Sequence, residues 1–208
     1  GSMNILCTDK TGTLTEGKIV LREVLDGANV ASDALRQLAF LNAAFETGIE
    51  NPLDAAIFEA GQTAGLSTAG YAKIDEIPYD FVRRRLTIVV APDGVEQHLM
   101  VTKGAFAEVL ATCTAVDIGG TALPMDTTRR AALEATFQAK SAEGLRVLAL
   151  ATRSFTPKAD YDRDDEADMT FRGFLVFLDP PKPDAAKAIA DLARLGIAIK
   201  VISGDNRY

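Results

Sequence analysis

The sequence predicts an α/β fold in which an α+β domain is inserted into a parallel α/β unit. Each end of the chain has an apolar strand pattern, at residues 4–8 and 197–202, that runs into a polar loop. A helical pattern at 184–195 precedes the second strand, and strand–helix–strand order favours parallel pairing. The middle, residues 23–172, mixes helical patterns with strand patterns joined by a hairpin turn. The middle is therefore predicted to be the inserted domain.

The first half of the chain supplies two helices after two strands. Residues 18–24 are predicted to be a second strand or the link into the inserted domain. Apolar residues at three- and four-residue intervals predict a helix over 30–45, with Ser32 or Asp33 as its cap. Asn51-Pro52 predicts the start of a second helix, because proline fits the first helical turn, and Asp54 falls in that turn.

The remaining elements belong to a predicted antiparallel sheet and its flanking helices. Strands are predicted at 71–78, 84–90 and 97–103, and the turn 92–94 (PDG) joins the last two. Helices are predicted at 106–113 and at 126–144, the latter capped by Asp126 and ended by Gly144. Two apolar strands follow at 145–152 and 171–178, and the acidic stretch 160–168 between them is predicted to be a solvated loop.

Composition narrows the class of protein. The 208 residues are 48% hydrophobic and 25% charged, as in soluble globular proteins, and no apolar run approaches the ~18 residues of a membrane span. The net charge of −7 argues against nucleic acid as a partner. Cys7 and Cys113 are too few and too far apart for a disulfide framework or a metal site, and Cys7 is expected to be a small core residue. His98, the only histidine, is expected at the surface.

The loop after the first strand carries the strongest chemical signal. Asp9 directly follows the apolar strand, and strand ends of parallel α/β sheets point side chains into the ligand crevice, where a carboxylate can attack a phosphoryl group. Lys10 adds positive charge, Gly12 permits close backbone approach to a phosphate, and Thr11 and Thr13 add hydroxyl donors. Taken alone, the same residues are also compatible with an ordinary turn.

The whole run DKTGTLT, residues 9–15, resembles the phosphorylation motif of P-type ATPases, ion pumps that form an aspartyl-phosphate. The resemblance implies that Asp9 is the phosphate acceptor. Many phosphatases of the wider haloacid-dehalogenase-like superfamily carry a second aspartate two positions later, as general acid and base. Here that position is Thr11, which activates water poorly, so a long-lived phosphoenzyme is expected.

Motifs in the middle of the chain resemble the nucleotide pocket of the same family. Residues 80–85 (DFVRRR) resemble its adenine element, in which Phe81 stacks on the ring and Arg83 reaches the phosphates. Without that resemblance, Phe81 would more often be a core residue and the arginines a solvated strand edge. Lys103-Gly104-Ala105 resembles the KGA motif, where the lysine enters the pocket and the glycine permits close backbone approach.

The remaining resemblances complete the expected site. Asp54 aligns with an acidic residue on the adenine side, and Arg146 aligns with an arginine that contacts the ATP phosphates. Asp179, in the segment 179–182 (DPPK), resembles the hinge motif and is grouped with the nucleotide-binding residues. The loop Ser203-Gly204-Asp205 resembles the family's (Thr)-Gly-Asp loop, which orients the phosphate and metal.

The resemblance also implies a domain division. Residues 1–22 and 173–208 are expected to be two parts of a haloacid-dehalogenase-like phosphorylation domain, and 23–172 the inserted nucleotide-binding domain with an antiparallel sheet and flanking helices. Gly1-Ser2-Met3 is expected to be a tag remnant. The chain stops before the family's later lysine and Gly-Asp-Gly-x-Asn-Asp loop, so a fragment that binds ATP without turnover is expected.

The implied function is that of a cation pump, with ATP and Mg²⁺ as cofactors and Asp9 and the Thr11 carbonyl as metal ligands. Residues 73–81 (KIDEIPYDF), with 40–42 and 47–48, most resemble bacterial magnesium-transporting ATPases. The expected partners are the membrane and actuator domains of the same parent chain at the cytoplasmic face of the cell membrane, and the fragment itself is expected to be a monomer. The alternatives are a soluble phosphatase of the same superfamily and a non-catalytic nucleotide-binding module.

Overall fold

The computed structural model describes residues 3–48 and 51–202, which form ten strands and five α-helices. The strands are β1 (Ile5–Asp9), β2 (Val20–Asp26), β3 (Tyr71–Ile77), β4 (Arg85–Pro92), β5 (His98–Ala105), β6 (Cys113–Ile118), β7 (Thr121–Pro124), β8 (Arg146–Phe155), β9 (Met169–Leu178) and β10 (Ala198–Ile202). The helices are α1 (Asp33–Phe45), α2 (Pro52–Thr63), α3 (Phe106–Leu110), α4 (Thr127–Ala142) and α5 (Ala185–Arg194). None of the described helices has both the length and the apolar character needed to cross a membrane.

Eight strands form one mixed, mainly antiparallel sheet in the order β3-β4-β5-β8-β9-β6-β7, and β2 also pairs with β9. The same edge of β9 therefore serves two neighbours: β6 runs parallel to its first residues, and β2 runs antiparallel to the rest. Gly173 lies where one neighbour replaces the other. Its φ is +152°, and a Cβ there would lie 2.0 Å from the carbonyl oxygen of Leu25, so only glycine fits this crossing.

Helices cover both faces of this sheet. Because strand side chains alternate between faces, neighbouring residues of β9 enter different cores. Leu175 and Phe177 pack with the apolar residues of α1 and α2. Phe174 and Val176 pack with the residues of α3 and with Leu133 of α4. The large sheet therefore forms the middle layer of three, in agreement with the predicted α+β arrangement.

The small sheet joins the two ends of the described chain. β1 and β10 pair in parallel, from Ile5 opposite Ala198 to Asp9 opposite Ile202. The parallel pairing agrees with the prediction, whereas the assignment of these strands to a haloacid-dehalogenase-like unit stays a prediction. Cys7 is exposed, so its expected core position is wrong. The reason is that β1 has β10 as its single strand neighbour within residues 3–48 and 51–202.

Three other elements differ from the prediction. The hairpin β6–β7 was not predicted; it turns at Gly119-Gly120, both at positive φ. α3 is shorter than expected because it ends at Leu110 and β6 begins at Cys113. The acidic stretch 160–168 contains a short 3₁₀ helix, Arg163–Asp165, and the side chain that follows it, Glu166, is buried rather than solvated.

Candidate functional site

Asp9 lies at the carboxyl end of β1, and its carboxylate is exposed at the start of a compact loop. Its Oδ1 accepts a 2.8 Å hydrogen bond from the amide of Lys10. The amides of Leu14 and Thr15 both donate to the Lys10 carbonyl, which closes the loop into a turn. Thr11 and Thr13 are exposed on this loop. The geometry therefore presents the carboxylate and both hydroxyl residues on one exposed turn.

This loop offers the oxygen chemistry that Mg²⁺ takes in proteins, namely one carboxylate and neighbouring carbonyl oxygens, with substrate phosphate supplying further ligands. The Asp9 carboxylate and the Thr11 carbonyl fit that donor set. Within residues 3–48 and 51–202, no group of three or more His, Cys, Asp or Glu side chains forms a cation site. Ser203, Gly204 and Asp205, also predicted for this site, lie outside the described residues.

The register of the large sheet brings three other predicted residues to one end of it. β5 is antiparallel to β4 and β8, so its carboxyl end lies beside the amino ends of both. Lys103 pairs with Leu86 of β4 and with Leu150 of β8. Phe81 lies in the loop just before β4, and the exposed Arg146 is the first residue of β8. Residues far apart in sequence therefore lie at the same end of the sheet.

Lys103 lies at the centre of a buried charge cluster. Its ammonium donates to Asp54 Oδ1 in the first turn of α2 and lies 3.6 Å from Glu46 Oε2, just after α1. Glu46 Oε2 is buried without a hydrogen-bond partner. Burial raises the pKa of Glu46 to about 7; Lys103 opposes this rise and Asp54 adds to it. The cluster brings two predicted residues together and adds Glu46, which was not predicted.

A cleft of about 670 Å³ opens beside this cluster between the ends of α1 and α2. Glu46, Asp54 and Phe58 contribute to its lining. Thr47, next to Glu46, donates to the Glu76 carboxylate near the end of β3, which ties the end of α1 to the strand that leads into the Phe81 loop. Cleft and loop therefore border the same end of the sheet.

Phe81 is 86% exposed, which rules out the alternative that it is a core residue. Its ring meets that of Tyr79 edge to face, with centroids 5.6 Å apart. The side chains of Phe81 and Val82, 88% exposed, thus form an apolar surface at the loop tip that is available for contact with a ligand.

Arg83 departs from its predicted role. Its guanidinium turns inward and donates to Glu166 and Asp80 rather than projecting from the loop toward a phosphate. Burial alone would lower its pKa, but these hydrogen bonds outweigh that effect and raise it. Arg83 therefore anchors the loop in this structure. No sequence pattern indicated its partner Glu166, which lies 83 residues away in an acidic stretch.

Gly104 also differs from the expectation. A Cβ at this position would lie 2.5 Å from both the carbonyl oxygen of Arg84 and the Cβ of Arg85. The close approach that requires glycine in this structure is therefore the approach of β4, and access for a nucleotide stays a prediction.

Asp179 lies away from the nucleotide end of the sheet, in the connection between β9 and α5. Its carboxylate accepts hydrogen bonds from the Thr15 hydroxyl, at 2.6 Å, and from the Gly17 amide, at 3.0 Å. These contacts bond Asp179 to the loop that follows Asp9 rather than to the nucleotide end of the sheet, which corrects its grouping with the nucleotide-binding residues. Its role in a hinge stays a prediction.

Comparison with known proteins identifies the family to which this chain belongs. The family model described as P-type ATPase, cytoplasmic domain N, matches residues 27–184. The chain therefore belongs to the P-type ATPase family, and its matched part is the cytoplasmic N domain.

Individual relatives narrow the comparison. The chain is 42% identical to "Magnesium-transporting ATPase, P-type 1" of Salmonella typhimurium and 41% identical to the Escherichia coli K12 protein of that name, in each case over 99% of this chain and 23% of the relative. It is 30% identical to "Calcium-transporting ATPase 1" of Bacillus cereus over 100% of this chain and 25% of the relative. The chain thus spans about a quarter of the length of these relatives.

Proposed function

We propose that this chain binds ATP at the end of the large sheet that carries Phe81, Lys103 and Arg146. The observation that carries this proposal is the exposed Phe81 ring on an anchored loop at the end of the sheet that also holds the Lys103 cluster. Every nucleobase has a π face, so an exposed ring is a suitable platform for adenine. Arg146, exposed at the same end of the sheet, supplies positive charge for the phosphates. Asp54 and Glu46 line the adjoining cleft and provide acceptors for the base.

We further propose that, in the longer protein, ATP transfers its γ-phosphoryl group to Asp9. The exposed carboxylate at the end of β1 supports this role, as does the positioning of Thr11 and Thr13 on the same turn. Asp9 and the Thr11 carbonyl would hold Mg²⁺, which when bound would offset the charge of the transferred phosphoryl group. Lys10, Thr13, Ser203, Gly204 and Asp205 would orient the phosphate. We also propose that the longer protein transports a cation and that magnesium is its cargo, a proposal that the names of the relatives support.

The partners of this chain would be the membrane and actuator domains of the same parent protein, at the cytoplasmic face of the membrane. A soluble phosphatase is disfavoured because Thr11 stands where a general acid–base aspartate is needed.

The test of nucleotide binding is calorimetric titration of ATP into the parent and into Phe81→Ala. Stacking of a base on an aromatic side chain contributes enough that its loss is expected to weaken ATP binding about tenfold. Stability should not change, since the ring is exposed. The control is Val95→Ala, which removes an apolar side chain, 53% exposed, from the other end of the β4–β5 hairpin. Equal ATP affinity of the parent and Phe81→Ala would overturn the proposed site.

A further inference from the structure

The loop that presents Phe81 is a tight turn held by Asp80. The Asp80 Oδ1 atom accepts hydrogen bonds from the amides of Val82, at 2.9 Å, and Arg83, at 2.7 Å. These bonds, the Arg83 amide bond first, lower the pKa of Asp80 to about 2, so the carboxylate stays ionised near neutral pH. The turn leaves Phe81 and Val82 more than 80% exposed, at 86% and 88%.

Arg83 anchors the turn to the protein interior. The side chain of Arg83 is 10% exposed, and its guanidinium uses all three nitrogens. Nε donates to Asp80, Nη2 donates to the Pro78 carbonyl at 2.6 Å, and Nη1 donates to both oxygens of Glu166 at 2.6 Å. The guanidinium thus joins both sides of the turn to a carboxylate outside it.

Glu166 is the centre of this network. Its side chain is fully buried, and besides Arg83 it accepts from Arg85 Nε at 2.8 Å and from the Thr87 hydroxyl at 2.6 Å. Arg163 Nη2 also lies 3.6 Å from Asp80 Oδ2, so three arginines surround the two carboxylates, and a buried carboxylate with as many donors as Glu166 is well satisfied. Such a network holds its members in one arrangement.

We propose that Glu166 is a positioning residue for nucleotide binding: it fixes Arg83 and so holds the Phe81 ring in a stacking position before the nucleotide arrives. This inference rests on the proposed ATP site. Its physical basis is preorganisation, because a loop that is already ordered does not lose conformational freedom on binding. Glu166 itself does not have to touch the nucleotide.

The first test is Glu166→Gln, which keeps the size of the side chain but removes its charge and replaces one acceptor by a donor that faces arginine donors. Calorimetry is expected to show ATP binding weakened about tenfold, because a Phe81 loop that is no longer ordered in the free protein would lose conformational freedom when the nucleotide binds. Hydrogen exchange of the Val82 and Arg83 amides should accelerate, while amides in the centre of β9 keep their protection.

The decisive measurement is a double-mutant cycle with Phe81→Ala. If Glu166 acts through the ring, Glu166→Gln should weaken ATP binding in the parent and have little effect when Phe81 is already alanine. The matched control is Asp117→Asn, since Asp117 is another buried carboxylate that pairs with an arginine, Arg172, in the same sheet. Asp117→Asn is expected to lower stability without changing ATP affinity.

Each other outcome has a clear meaning. An equal loss of ATP affinity from Glu166→Gln in both backgrounds, or an equal loss from Asp117→Asn, would overturn the inference. Unchanged ATP binding in Glu166→Gln would also overturn it, whereas unchanged binding in Phe81→Ala would instead remove the proposed ATP site. If Glu166→Gln does not fold, Arg83→Lys provides the same cycle, because lysine keeps the charge and lacks the planar fork.

Discussion

The Thr15 hydroxyl donates a 2.6 Å hydrogen bond to Asp179 Oδ2 across 164 residues of sequence. Around this pair, the Glu16 amide donates to the Pro180 carbonyl and the Lys182 amide donates to the Leu14 carbonyl. The two connections between the large and small sheets therefore run side by side and are bonded to each other. Lys182 Nζ also donates to the Gly12 carbonyl, which links this crossing to the Asp9 loop.

Thr15→Val is expected to loosen the small sheet without disturbing the large one. The substitution preserves shape but leaves Asp179 without its hydroxyl donor, at a cost of about 1 kcal/mol. Amides in β1 and β10 should therefore exchange about fivefold faster, while β8 amides are unchanged. Thr15→Ser keeps the hydroxyl and should behave like the parent. Identical exchange in the valine and serine variants would show that the pair does not hold the crossing.

Gly104→Ala is expected to destabilise the large sheet by roughly 1–3 kcal/mol, because the new methyl group would overlap the backbone of β4. Urea denaturation would measure the loss. Gly48→Ala is the control, since nothing lies within 4 Å of a Cβ at that position. A Gly104→Ala protein as stable as the control would contradict the close approach of the strands.

Glu46→Gln is expected to remove a pH dependence of stability. The pKa of Glu46 is about 7 in the folded chain and 4.5 in the unfolded chain. Between these two pH values the folded state therefore binds more protons than the unfolded state. Stability therefore falls as pH rises from about 4.5 to about 7. Glutamine mimics the protonated acid, so this variant should match the parent at low pH and exceed it at pH 8, by an amount on the order of 1–3 kcal/mol.

Glu76→Gln supplies the control of opposite sign. Burial raises the pKa of Glu76, but hydrogen bonds from Lys73 and Thr47 outweigh it and lower that pKa below 4.5. The contribution of Glu76 to stability is therefore fully present above its unfolded pKa, and it is lost as pH falls through its lower folded pKa. Urea unfolding, measured over the same pH range as for Glu46→Gln, should show that Glu76→Gln is less stable than the parent near neutral pH. A parallel pH profile for Glu46→Gln and the parent would contradict the raised Glu46 pKa.

In the longer protein, Asp9→Asn is expected to abolish the acyl phosphate while ATP binding survives. An amide has nearly the shape of the carboxylate but is not a competent nucleophile. Loss of the negative charge also removes repulsion of the γ-phosphate. Radiolabel from γ-labelled ATP, measured after acid quenching, should be absent from the variant. Label retained at the level of the parent would exclude Asp9 as the acceptor.

Features that depend on a few consecutive residues were predictable from the chain. Ser32 and Asp126 cap α1 and α4 through their own side chains. Gly144 ends α4 at positive φ, and the predicted turn at 92–94 lies at the start of the connection from β4 to β5. The seven-residue run DKTGTLT is enough to indicate the family, and the N-domain match confirms it. Each of these signals lies within one turn or one loop, where local hydrogen bonding and steric limits decide the conformation.

Features that depend on distant neighbours required the folded chain. Glu166 is buried because two arginines and a threonine from another part of the sequence meet it, and nothing in its own acidic stretch indicates that. Cys7 is exposed although its strand is apolar, because burial depends on which elements cover a strand. The spacing of apolar residues predicts whether a segment is a helix or a strand. The partner of a buried charge depends instead on strand order and register, which bring together segments that are tens of residues apart in sequence.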